Sequence, residues 1–186
     1  MQKNFSQYLL KMIPSIINYT IRKGEICLNI PFNNILPIVT VLKYHTNCQY
    51  KSLSDLCIVD YPTRSNRFEL IYNFLSLTYN SRIRIKIILN EFQVISSITP
   101  IFKGANWWER EAWDMFGICF NNHPDLRRLL TDYGFDGHPL RKDFPLNGYT
   151  AVRYDDTRKI ILYEATELSQ EFRNFDFQSP WSSINR

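Results

Sequence analysis

The sequence predicts an α+β fold of two layers, with helices on one face of a mixed sheet, followed by a turn-rich segment and a long extended C-terminal tail. Three observations carry this reading. Apolar residues recur at helical spacing near the amino terminus, basic and apolar residues alternate strictly between Arg82 and Ile87, and five of the six glycines fall between Gly104 and Gly148. The expected organisation is an α+β core domain over 1–100, a segment with one short helix and turns over 101–148, and an extended tail suited to docking on a partner over 149–186.

Phe5, Leu9, Ile13, Ile16 and Ile17 predict a helix within residues 5–22. Glu25 to Ile30 reads as a short strand, and Asn33 is placed to cap a second helix running to about Lys43. From Leu53 to Leu89 the pattern is β-type, with Tyr79, Asn80 and Ser81 as a turn. Beyond that turn Arg82, Arg84 and Lys86 alternate with Ile83, Ile85 and Ile87, which puts bases on one face and isoleucines on the other. In the turn-rich segment Asn106 has the character of an N-cap, with Glu109 three residues on. Trp108, Ala112, Met115 and Phe116 form an apolar stripe there, and Gly117 can end the helix. After Tyr149 the chain is polar with scattered aromatics, Phe172, Phe175, Phe177 and Trp181, too sparse for a core and of the type that anchors interfaces.

With 186 residues, 45% hydrophobic and 22% charged, the chain can bury a real core and is not of disordered composition. A net charge of +4 suits an acidic partner or membrane surface without demanding nucleic acid. Cys27, Cys48, Cys57 and Cys119 match neither CxxC pairs nor iron-sulfur ligand runs, so four free thiols in a reducing compartment are expected. Lys11 and Pro14 break the early apolar run, so no bilayer-spanning helix is expected. Residues 1–23 carry bases and no acids, as transit peptides do, but lack Arg and Ser richness. Abundant Ile and Asn with scarce Ala and Gly fit an AT-rich organellar gene.

Glu109, Arg110, Glu111 and Asp114 could suggest paired carboxylates for acid-base chemistry. Helical spacing instead lets Arg110 pair with Asp114 and sends Glu109 and Glu111 in different directions, which favours a salt-bridge network over catalysis. Cys119, His123 and His138 lack the spacing of a zinc module. Each histidine precedes a proline, as suits rigid turns in which imidazole bonds to backbone. Gly134, Gly137 and Gly148 form no phosphate-cradling loop, and no activated Ser or Cys is apparent. No catalytic, cofactor-binding or metal residue is therefore expected. The rival is an RNA-binding or mitochondrial ribosomal protein using Arg82, Arg84 and Lys86 with Tyr72, Phe74 and Tyr79, although the RNP1 pattern is absent.

The run Trp107-Trp108-Glu109-Arg110-Glu111-Ala112-Trp113-Asp114-Met115-Phe116-Gly117 resembles the signature of the thirty-kilodalton subunit family of respiratory complex I, the proton-pumping NADH:ubiquinone oxidoreductase. Organelle-encoded members of that family are called NADH dehydrogenase subunit 9. His123-Pro124-Asp125-Leu126-Arg127-Arg128-Leu129-Leu130, Asp132-Tyr133-Gly134-Phe135 and Gly137-His138-Pro139-Leu140-Arg141-Lys142-Asp143-Phe144-Pro145 follow in the same order. So do Arg153-Tyr154-Asp155, Phe172, Arg173, Phe175, Phe177 and Trp181. Upstream, Val59-Asp60-Tyr61-Pro62, Arg67-Phe68-Glu69 and Tyr79-Asn80-Ser81-Arg82 look like its sheet region, so the resemblance covers about Cys57 to Trp181, with the first 55 or so residues only loosely similar.

The resemblance implies a subunit of the hydrophilic arm on the matrix side of the mitochondrial inner membrane, near the quinone-reducing end. It would neighbour the forty-nine-kilodalton subunit, the PSST-type subunit and the TYKY-type ferredoxin-like subunit. It implies that this chain holds no cofactor, while the complex uses FMN, iron-sulfur clusters, NADH and ubiquinone. Trp107, Trp108, Arg127, Arg128, Arg141 and the tail aromatics are the expected anchors for neighbouring subunits.

Overall fold

Pro14 limits the first helix. In the computed structural model, which describes residues 2–176, helix α1 spans Gln2–Met12, because the ring of Pro14 disfavours helical backbone at the residue before it. The predicted helix over 5–22 is therefore corrected: Asn18–Arg22 is a strand, β1, where β-branched Thr20 and Ile21 prefer extended backbone. Lys23 and Gly24, with φ of 47° and 83°, form a two-residue turn into β2, Glu25–Asn29.

A short 3-10 turn, Phe32–Asn34, precedes helix α2, Ile35–Tyr44. Asn34, not the expected Asn33, occupies the capping position, and its side chain makes no capping bond. Pro37 is tolerated in the first turn, where backbone N–H groups have no helical partner in any case. Ile35, Ile38, Val39 and Leu42 form the buried stripe.

Strands β3 (Ser52–Asp60), β4 (Phe68–Ser76) and β5 (Ser81–Leu89) complete a five-stranded sheet of order β1-β2-β5-β4-β3, in which β2 and β5 run parallel and all other neighbours antiparallel. Register places Ile26, Leu28, Leu56, Phe68, Leu70, Tyr72, Phe74, Ile83, Ile85, Ile87 and Leu89 on one face, and all are buried. The core lies between this face and residues of α1 and α2, as the two-layer α+β reading expected.

Strand β6 (Ile95–Ser96), helix α3 (Ala105–Phe116) and strand β7 (Phe120–Asn121) follow, with β6 and β7 parallel and α3 crossing between them. Gly104 occupies the N-cap of α3 without a side-chain bond. The expected cap Asn106 lies inside the first turn, and Glu109 turns into the core instead of back to the helix start. Gly117 ends α3 as expected, in left-handed backbone with φ of 80°.

The chain divides into two compact units, Met1–Phe144 and Pro145–Arg186. The second holds an antiparallel hairpin, β8 (Thr150–Asp155) and β9 (Ile160–Ala165), so this part of the expected tail is a paired ribbon. Phe177 and Trp181 lie outside the described residues. Among the described residues, no helix is long and apolar enough to cross a membrane.

Candidate functional site

The signature segment folds around Asp114. This fully buried carboxylate accepts the backbone N–H groups of Leu129, Leu130 and Thr131 at 3.1, 2.7 and 2.9 Å, the Thr131 hydroxyl at 2.6 Å, and Arg128 Nη1 at 3.0 Å. Three successive N–H groups aimed at one oxygen form an anion nest. Burial alone would push the Asp114 carboxyl up, but these bonds outweigh it and hold the group at about 2.

Trp113 O takes the last helical bond of α3, while the carbonyls of Asp114, Met115 and Phe116 have no helical partner and are satisfied by residues 138–141. Gly117 N–H bonds Trp113 O at 2.8 Å, the His138 Nδ1–H bonds Asp114 O at 3.0 Å, Leu140 N–H bonds Met115 O at 3.1 Å, and Arg141 Nε bonds Phe116 O at 2.7 Å. This explains the chemistry of residues 137–141 after a break of some twenty residues: they are a detached cap for α3. Burial lowers the affinity of His138 for a second proton, which the Asp114 carbonyl only partly restores. A Cβ on Gly117 would lie 2.6 Å from both Arg141 Nη2 and His138 Nε2, so this position needs glycine for space as well as for its positive φ.

A second knot ties the same segment to the sheet. Arg67 donates twice to Asp60, at 2.6 and 2.8 Å, and twice to Asp143, at 3.0 and 2.9 Å, while Lys142 N–H donates to Asp60 at 2.8 Å. Bonding to Arg67 holds both carboxyls below the usual carboxylate range. Above the Phe68 ring lie both Arg67 and Arg141, at 5.3 and 5.4 Å, and Arg141 also pairs with Glu91.

A third cluster sits under the first turns of α3. Glu109, fully buried, accepts the Ser97 hydroxyl at 2.5 Å and the Ile98 N–H at 2.8 Å, and lies 3.8 Å from His123 Nε2. His123 also faces Asn106 O at 3.3 Å and accepts the Asp125 N–H at 3.1 Å, so both histidines bond to backbone as their prolines suggested.

Several sequence expectations change on this geometry. Arg110 does not pair with Asp114; it reaches the carbonyls of Arg127 and Arg128 at 3.3 and 3.4 Å and lies over the Trp107 ring. Arg128 and Arg141, expected as anchors for neighbours, make their bonds inside the chain. Arg127 stays exposed, paired with Asp125 at 2.8 Å. Trp107 is 63% exposed and Tyr133 98%, whereas Trp108 and Phe116 pack against the core. Glu111 is half-buried, Pro124, Asp132 and Lys142 are exposed, and Pro139 and Pro145 are half-buried. Gly134 borders open space, whereas Gly137 has the Phe144 ring against it, 2.8 Å from where a Cβ would stand. Phe172 and Phe175 are exposed.

The RNA-binding arrangement is not present. Tyr72 and Phe74 are buried on the core face, opposite Arg82, Arg84 and Lys86, and Arg84 and Lys86 pair with Glu25 and Glu69 at 3.0 and 2.6 Å. A base-stacking platform needs aromatics and cations on one face. Sequence reasoning missed Asp60, Arg67, Ser97 and Ile98 as partners, because apart from the Asp60–Arg67 pair, seven residues apart, they lie 11 to 82 residues from the groups they bind. Among the described residues, no three His, Cys, Asp or Glu side chains are grouped to hold a metal ion.

Comparison with known proteins agrees with this architecture. Residues 28–150 match the family described as respiratory-chain NADH dehydrogenase, 30 Kd subunit. The chain is 55% identical over 183 residues to NADH-ubiquinone oxidoreductase subunit 9 of Reclinomonas americana, covering 98% of this chain and 90% of that protein. It is 51% identical over 187 residues to the protein of the same name in Prototheca wickerhamii, covering 100% and 97%. Similarity thus extends through the first 55 residues, beyond the motifs that begin near Cys57. A trypsin-resistant fragment of Nqo5 shares the fold at a TM-score of 0.55 and 24% identity, covering 68% of this chain and 100% of the fragment. So does a chain of the membrane-bound sulfane sulfur reductase, an archaeal respiratory membrane complex, at 0.67 and 18%, covering 78% and 86%. An α+β subunit of a respiratory complex is the class these findings define. The chain belongs to the 30-kilodalton subunit family of the respiratory-chain NADH dehydrogenase, complex I.

Proposed function

We propose that this chain is a non-catalytic subunit of the hydrophilic arm of complex I, needed for assembly and for positioning the quinone-reducing module. The observation that carries the reading is a division of labour in the signature segment. Asp114, Arg128 and Arg141 are committed to bonds within the chain, while Trp107, Leu130, Tyr133 and Leu140 are left exposed. A rigid, internally satisfied scaffold that displays large apolar groups is the character of a docking surface. Its neighbours on this reading are the forty-nine-kilodalton, PSST-type and TYKY-type subunits, on the matrix side of the mitochondrial inner membrane. FMN, the iron-sulfur clusters, NADH and ubiquinone are then held by those and other subunits, and electrons bypass this chain's side chains.

Native electrophoresis of mildly solubilised mitochondrial membranes tests this. The chain should co-migrate with the large band that stains for NADH dehydrogenase activity. Trp107→Ala should reduce the amount of that band several-fold with activity per assembled complex unchanged. A normal amount of sluggish complex would count against a docking role.

A further inference from the structure

Beneath α3 is a buried carboxyl with no Lys or Arg paired to it among the described residues. The side chains of Glu109 and His123 are both fully inaccessible, and Glu109 Oε2 lies 3.8 Å from His123 Nε2. Because His123 Nδ1 accepts the Asp125 N–H, the ring proton sits on Nε2, which also faces Asn106 O. The other groups facing the carboxyl are neutral: Ser97 and Ile98 N–H from the segment after β6, and, further off, the buried hydroxyl of Tyr72 on β4. Arg110, the next residue on α3, turns away to the carbonyls of Arg127 and Arg128. An unpaired buried carboxylate is expensive, and the protonated acid is the cheaper state.

We propose that Glu109 is a proton-binding site: seating of α3 on the 97–99 segment holds one proton on this carboxyl, and loss of that proton weakens the contact. In the protonated state the carboxyl O–H donates to Ser97 Oγ, and the Ser97 hydroxyl donates onward to Thr99 Oγ1, 2.7 Å away. Ile98 N–H keeps its bond to Oε1, so each of these donors has an acceptor. Burial pushes the carboxyl from 4.5 up to about 7, opposed in part by the bonds from Ser97 and Ile98. Since the folded value lies above the unfolded one, the contribution is full below pH 4.5 and is lost as pH rises to about 7. The proton site concerns the chain itself and stands apart from its role in the complex.

The test uses the full chain labelled with carbon-13 at the glutamate carboxyls, with the Glu109 signal assigned by through-bond correlation and by its disappearance in Glu109→Gln. A titration midpoint near neutrality is expected; a midpoint in the ordinary carboxylate range overturns the site. Hydrogen exchange at the Ile98 amide, corrected for its intrinsic pH dependence, reads the coupling. Protection should fall by up to roughly tenfold per pH unit between the two midpoints and level off above, and be flat in Glu109→Gln. Protection independent of pH in the wild-type chain overturns the coupling. Should Glu109→Gln fail to fold, the wild-type titration still decides.

Discussion

Asp114 shows how one side chain organises a segment far away in sequence. Its two oxygens bind groups from Arg128 to Thr131, fourteen to seventeen residues downstream, and fix that loop without any secondary structure of its own. Asn in its place would keep one acceptor oxygen, lose the charge, and leave Arg128 half-buried without its counter-ion. Asp114→Asn should therefore cost about 3–5 kcal/mol in urea unfolding, the range for breaking a buried ion pair. The acid response follows with a definite sign. The carboxyl is depressed from 3.8 to about 2, so its stabilisation is complete above pH 3.8 and disappears as pH falls to about 2. Wild-type stability should drop through that window, and the Asp114→Asn chain should lose less there; equal losses would remove Asp114 as the cause.

Gly117 governs the end of α3, and there the arguments from φ and from space coincide. Gly117→Ala should cost roughly 1–2 kcal/mol for left-handed backbone, and more because Arg141 and His138 must give way. Thermal unfolding would measure the loss, and a weaker near-ultraviolet signal from Trp113, whose ring lies 5.4 Å from His138, would show that the detached cap had shifted. At this scale the sequence was readable where structure is local. The sheet was legible because alternation in Arg82–Ile87 has a period of two, and the stop at Gly117 because only glycine is at ease there. The cap at Asn106 was misread because Glu109 had a better use, burial against Ser97 and Ile98, than bonding back to the helix start. The α1 boundary was misread by giving apolar spacing more weight than Pro14. Neither the Asp114 nest nor the Asp60–Arg67–Asp143 knot was legible, since the pattern of one chain does not say which distant loop will supply the donors.

For the whole molecule, the hairpin of the second unit carries the most direct consequence of the docking proposal. Register aligns Val152 with Tyr163 and Tyr154 with Ile161, so these four side chains share one face, and each is more than half exposed. The opposite face carries Arg153 paired with Glu164. In an isolated chain an apolar ladder on an exposed two-stranded ribbon supplies only local contacts within the hairpin, and it is a hazard for aggregation. It is useful if a neighbouring subunit of the complex covers it. Changing Val152, Tyr154, Ile161 and Tyr163 together to Thr retains β-propensity while removing the apolar surface. The isolated variant should then unfold at nearly the same urea concentration as the wild type and be more soluble, because none of the four is a buried core residue. In mitochondrial membranes the same variant should incorporate poorly into the NADH-dehydrogenase-active band and accumulate as a free species. Normal incorporation would mean that the ladder faces solvent in the complex, and docking would then rest on the exposed groups around α3.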